Sequence, residues 1–100
     1  MSRSVRFSPA ARAELDGAIA WYEGKQPGLG SELEREVHSV LQDASIRPER
    51  FRKVTPYVRK ARLRKFFYYS IYFTDWEHGI DVISVHHGKR NPDALRKRLG

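Results

Sequence analysis

Nine bases, Arg47, Arg50, Arg52, Lys53, Arg59, Lys60, Arg62, Arg64 and Lys65, fall within one stretch that holds the single acid Glu49. Phe51, Tyr57, Phe66 and Phe67 lie among them or directly after. Guanidinium forks match the geometry of phosphates and aromatic rings stack on bases, so the chemistry this stretch offers is contact with a polyanion. The plainer reading places the rings in the core and the charges in water. Against it, like charges crowded on a short strand repel unless a counterion joins them. A second constellation is His86-His87-Gly88-Lys89-Arg90. Adjacent strand residues point to opposite faces, which disfavours a metal shared by the two histidines, and no carboxylate spacing completes a ligand set. Neither a metal nor a cofactor is expected. An imidazole beside arginines could move protons in metal-free RNA cleavage; alternatively one histidine belongs to the core and the other bonds at the strand end. His38 and His78 show no partner in the sequence.

Elements of matching period must position these groups. Val5 and Phe7 alternate with Arg6 and Ser8 in a short strand. Ser8-Pro9 then opens a helix, serine as N-cap and proline at the first helical position. Ala11, Leu15, Ala18, Ile19 and Tyr22 give that helix an apolar stripe, and Trp21-Tyr22 read as packing residues. Gly24 to Gly28 break it. Leu29, Leu33, Val37, Val40, Leu41 and Ala44 form a second stripe; Ser31 and Glu34 have capping-box spacing, while Pro27-Gly28 allow an earlier start. So short a loop predicts an antiparallel helical hairpin, ended at Arg47-Pro48.

Phe51, Val54 and Tyr57 are expected to pin an irregular connector. Ala61 and Leu63 alternate with Lys60, Arg62 and Arg64, giving one apolar and one cationic face. Tyr68 to Thr74 reads as a central strand, residues 75–79 as a hairpin loop, and Ile80, Val82 and Ser84 alternate with Asp81, Ile83 and Val85 in a last strand. A short basic helical turn, Ala94 to Leu99, closes the chain. The fold class expected is therefore α+β, βααβββ in one domain over residues 1–100, with the hairpin packed on one face of a small, mainly antiparallel sheet and the other face free for a partner.

A chain of this length can bury roughly 65% of its unfolded surface, enough for one core. Its net charge of +7 is uneven: residues 1–46 balance to −2 and residues 47–100 to +9. That asymmetry points to an anionic partner. Zero cysteines exclude a disulfide framework. No apolar run approaches the roughly 20 residues of a membrane span, and no secretory leader is read, so a cytoplasmic protein is expected. Walker-type glycine loops, a Gly-x-Ser-x-Gly elbow and paired carboxylates are all missing, which argues against nucleotide hydrolysis and serine or glycosidase chemistry.

Phe7-Ser8-Pro9-Ala10-Ala11, Glu14-Leu15-Asp16, Ala18-Ile19-Ala20-Trp21-Tyr22, Pro27-Gly28-Leu29-Gly30, the run from Arg62 to Tyr72, and His86 to Pro92 follow one another in an order that resembles the RelE/ParE superfamily of type II toxins. The likeness spans essentially the whole chain. It implies a small toxin encoded beside a cognate antitoxin whose tail wraps and neutralises it. ParE-type members poison DNA gyrase; RelE-type members cleave mRNA on the ribosome. The Ala-Ile-Ala-Trp-Tyr wording and the His-Gly-x-Arg-x-Pro ending look more like ParE-type plasmid-stabilisation proteins, so gyrase poisoning is the leading expectation and ribosome-dependent endonuclease the alternative. A third class is a non-toxic basic nucleic-acid-binding module. On the nuclease reading, the resemblance carries phosphate-binding and proton-transfer roles to Arg62, Arg64, His86, His87 and Arg90. No tyrosine follows Tyr72, where many RelE-type nucleases keep one. On either reading, Arg59, Lys60, Arg62, Arg64, Lys65, Lys89 and Arg90 are the expected target- or nucleic-acid-binding residues.

Overall fold

The computed structural model describes residues 4–99. In chain order these form β1 (Ser4–Phe7), α1 (Pro9–Lys25), α2 (Leu29–Ile46), a 3-10 turn (Pro48–Arg50), β2 (Arg59–Arg62), β3 (Tyr69–Trp76), β4 (Gly79–His87) and α3 (Asp93–Leu99). The βααβββ order is as the periodicity predicts. Alternation fixes faces and not neighbours, and the observed strand order is β1-β4-β3-β2. β1 runs parallel to β4, and the other two pairings are antiparallel.

Ser8 caps α1 through its hydroxyl, which accepts the Ala11 N–H at 3.1 Å. The helix runs through Gly24 to Lys25, two residues further than the glycine suggests. α2 starts at Leu29, and no side chain of its own caps it. Glu23 at the end of α1 does this instead, its carboxylate accepting the Gly28 N–H at 2.8 Å and the Gly30 N–H at 2.9 Å. The Ser31/Glu34 capping box therefore gives way to a cap contributed across the hairpin. Gly30 is where the two helices touch: an added Cβ would lie 2.5 Å from the Ile19 carbonyl oxygen.

The main core lies between hairpin and sheet. Ala11, Leu15, Leu33, Val37, Leu41, Ile71, Phe73, Ile80, Val82 and Val85 are buried in it, and Phe51 packs edge-on against Phe73. Of the other connector residues expected to pin, Val54 and Tyr57 are exposed, and the anchor is the buried Val58. Trp21 departs from its expected packing role as well, with 58% of its surface exposed while Tyr22 packs inward.

In the β3–β4 hairpin, β3 continues through Asp75 and Trp76, which were expected in the loop, and only Glu77 and His78 turn. Gly79 is required there. It has φ 145°, and a Cβ would fall 1.9 Å from the Ser4 carbonyl oxygen of β1.

A register shift at Tyr72/Phe73 changes the faces of β4. Tyr72 pairs with Ser84 and Phe73 with Val82, leaving Ile83 without a partner of its own. Strict alternation puts Ser84 on the face of Ile80 and Val82, and Val85 opposite. The bulge reverses both: Val85 joins the main core, and Ser84 stands across from Tyr72 on the far face.

That far face is only partly open. Leu95 and Leu99 of α3 cover Val58, Tyr72 and Ile83 in a second small core. The C-terminal basic segment is thus a docked helix that takes up sheet surface expected to be free. No helix among the described residues is long and apolar enough to cross a membrane.

Candidate functional site

The bulge that moves Val85 inward also decides the orientation of the two histidines. Arg62 pairs with Ser70 and Ser70 with His86, so the three form one row on the far face of the sheet. Neighbouring strands are about 4.8 Å apart, which places the Arg62 and His86 backbones about 10 Å from each other. Lys60, Tyr72 and Ser84 make the next row, with the Lys60 ammonium 5.8 Å from the Tyr72 ring centroid. His86 is therefore the histidine that shares a face with the cationic strand. His87 pairs with Tyr69 on the helix face, meeting its ring edge-on at 4.9 Å and stacking on Tyr68 at 5.6 Å.

Electrostatics follow this placement. Burial lowers the pKa of His86; Glu14 opposes the shift, and Arg90, His87 and Arg98 add to it. The net effect favours its neutral form. Burial likewise lowers the pKa of Lys60, with Arg52 and Arg62 adding repulsion. Burial raises the phenols of Tyr69 and Tyr72, and Tyr22 adds to the rise at Tyr69.

The seven expected contact cations do not form one patch. Lys60 and Arg62 stand on the far face, with Arg62 Nε donating to the Phe67 carbonyl at 3.0 Å. Arg59 has the parity of the buried Ala61 and retains 16% side-chain exposure. Its guanidinium is engaged, with Nε 3.2 Å from Asp75 Oδ1 and Nη1 2.8 Å from the Phe51 carbonyl. Arg64 and Lys65 lie in the β2–β3 connector, where both backbone N–H groups donate to Glu36 of α2 and the Lys65 ammonium pairs with Glu32. Lys89 and Arg90 belong to the turn after β4, and there they meet α1 rather than β2.

This last meeting makes a groove. Trp21 and Tyr22 of α1 face Tyr69, His87, Lys89 and Arg90 across a cavity of about 340 Å³. The turn is fixed by its own bonds: Gly88 N–H donates to the Tyr68 carbonyl at 2.7 Å, Lys89 N–H to His87 Nδ1 at 3.0 Å and Arg90 N–H to the His87 carbonyl at 2.9 Å. Thus Arg62 and His86 are brought together on one side of the sheet, and His87, Lys89 and Arg90 on the other. Sequence reasoning missed Trp21 as a surface residue, because it precedes Tyr22 of the apolar stripe by one position and one step of 100° turns it outward. It missed Glu14 too, whose role depends on a strand edge 70 residues away. Among the described residues no cluster of His, Asp and Glu has the geometry to hold a metal ion.

A family model described as the ParE toxin of type II toxin-antitoxin system, parDE, matches residues 5–92. The chain is 28% identical over 104 residues to Toxin ParE2 of Mycobacterium tuberculosis strain CDC 1551 / Oshkosh, covering 99% of this chain and 94% of that relative. The same values hold for Toxin ParE2 of strain ATCC 25618 / H37Rv. A solved chain described as the chromosomal ParDE TA system from P. aeruginosa superposes with a TM-score of 0.71 at 16% identity, covering 86% of this chain and 96% of that one, a likeness of fold. With the family match extending from β1 to the turn before α3, the chain belongs to the ParE toxin family of type II toxin-antitoxin systems.

Proposed function

We propose that this protein poisons DNA gyrase and is neutralised by a cognate antitoxin. The observation that carries the reading is the family match over residues 5–92. The geometry of the histidines supports it: His86 and His87 point to opposite faces, and Arg62 is the row neighbour of His86 only from two strands away. That arrangement offers no close pair for proton transfer, while a basic sheet face and a basic turn suit contact with a protein–DNA complex. The contact residues in this reading are Lys60, Arg62 and Arg64 on the β2 side and Lys89 and Arg90 on the α1 side. Arg59 and Lys65 serve chiefly as internal ties.

The alternative, ribosome-dependent mRNA cleavage, draws on one observation, the Arg62–Ser70–His86 row, which could hold a phosphate against an imidazole. Induction of the chain alone in bacteria separates the two. A gyrase poison halts growth with broken chromosomal DNA and intact mRNA, and co-expression of the antitoxin restores growth. Growth arrest with cut mRNA and intact DNA would overturn the proposal in favour of the nuclease.

A further inference from the structure

We propose that the groove between α1 and the turn after β4 binds single-stranded nucleic acid, stacking a base on Trp21 and holding the adjoining phosphate with Lys89 and Arg90. This site is separate from the Arg62–His86 row, which lies on the other side of the sheet, and it does not depend on gyrase being the target.

Four rings converge on the groove. Trp21 meets Tyr22 edge-on at 4.9 Å, Tyr22 meets Tyr69 at 6.2 Å, and Tyr69 meets His87 at 4.9 Å. This aromatic chain holds the wall in place from the core outwards, and Trp21 at its end keeps more than half of its surface in water. A large aromatic left more than half exposed beside a cavity offers surface on which a base can stack. The charges around it are of one sign. Lys89 and Arg90 line the groove, the Lys25 ammonium stands 4.9 Å from the Trp21 ring centroid, and none of the described lining residues is acidic.

Planar rings combined with cations favour a ligand that joins a planar face to an anion, which a nucleotide does in one unit and an acidic peptide does not. Size points the same way. About 340 Å³ is at the small end of ligand sites, room for one nucleotide and too little for a docked helix. A polymer is favoured over a free nucleotide because residues 47–100 carry a balance of +9, a field that attracts a chain of phosphates more strongly than a single one.

The test uses Trp21 as its own reporter. The chain has two tryptophans, so Trp76→Phe leaves Trp21 as the single tryptophan, which can be excited selectively over the tyrosines. An oligothymidylate of about ten nucleotides, within the usual site size of single-strand binders, is titrated into this protein. The expected result is saturable quenching whose midpoint rises steeply with salt. In the unmodified background, Trp21→Ala and Lys89→Glu should each weaken binding of a labelled oligonucleotide about tenfold, as loss of one stacked base or one phosphate contact does. Circular dichroism checks that each variant folds, and Arg90→Glu stands in for either that does not. Binding without quenching that Arg62→Glu weakens and Lys89→Glu leaves unchanged would overturn the proposal by placing the strand on the other sheet face. Quenching by polyglutamate but not by oligothymidylate would overturn it in favour of a protein partner. Thymidine monophosphate binding as tightly as the oligonucleotide would overturn the polymer in favour of a free nucleotide.

Discussion

Arg98 of α3 donates through Nη1 to Glu14 of α1 at 2.8 Å, joining the two ends of the chain at an open strand edge. β1 leaves β4 after Val82, where Ser8 N–H makes the last backbone bond. Beyond that point Arg98 also donates to the Ile83 carbonyl at 3.2 Å, and the same Glu14 oxygen accepts the Val85 N–H at 2.9 Å and the Ser84 hydroxyl at 3.3 Å. The side chains of Glu14 and Arg98 are 14% and 29% exposed. One ion pair thus satisfies the backbone that a fifth strand would otherwise pair.

Glu14→Ala is expected to cost about 2–3 kcal/mol, since it leaves the buried Val85 N–H without an acceptor and Arg98 without its counter-charge. Glu14→Gln, which keeps an acceptor and loses the charge, should cost about 1 kcal/mol. Urea unfolding of the two variants beside the parent measures both, and equal losses would show that the acceptor contributes nothing once the charge is gone.

α3 should be held by its leucines more than by its charges. Leu95→Ala removes a buried side chain from the second small core and is expected to cost about 2 kcal/mol, the lower end for leucine because the helix lies at the surface. Arg96, whose ion pair with Asp93 is well exposed, should contribute less than 1 kcal/mol when replaced by alanine. Amide hydrogen exchange reads the outcome directly: residues 93–99 lose protection in the leucine variant and keep it in the arginine variant.

Gly79→Ala should be among the most damaging single changes. Its positive φ disfavours any other residue, and the new methyl would collide with the Ser4 backbone, forcing β1 off the sheet. A loss of at least about 3 kcal/mol is expected. A melting temperature within a few degrees of the parent would mean that β1 pairing contributes little.

Stability should fall on mild acidification. The folded protein holds His86 below its ordinary pKa, so between that value and about 6.5 the unfolded chain binds the proton more readily. His86 therefore contributes fully above about pH 6.5, and its contribution declines as the pH drops toward the folded value. The urea midpoint measured from pH 7.5 to 5 should decrease less in His86→Gln than in the parent; parallel curves would remove His86 as the cause.

Much of the fold is legible because it rests on local period. The stripes Ala11-Leu15-Ala18 and Leu33-Val37-Leu41 are spaced for helices and are buried, and buried Ala61 and Leu63 alternate with exposed Arg62 and Arg64 as expected. What periodicity misses is long-range or irregular. Nothing near Ile83 signals a bulge, yet it sends His86 toward Arg62 and His87 toward α1. Arg59 reads as one more surface cation until Asp75, on the neighbouring strand, supplies its partner. Glu14 and Arg98, 84 residues apart, carry no mutual signal in the sequence.

The central claim, that this ParE-family toxin poisons gyrase, is tested most directly with one purified preparation divided between two reactions. One holds gyrase with supercoiled plasmid, the other ribosomes translating a defined mRNA. Linear plasmid accumulating in a gyrase-dependent manner while the mRNA stays whole is the predicted result. Cleaved mRNA with intact plasmid would contradict the account and make Arg62 and His86 the catalytic candidates.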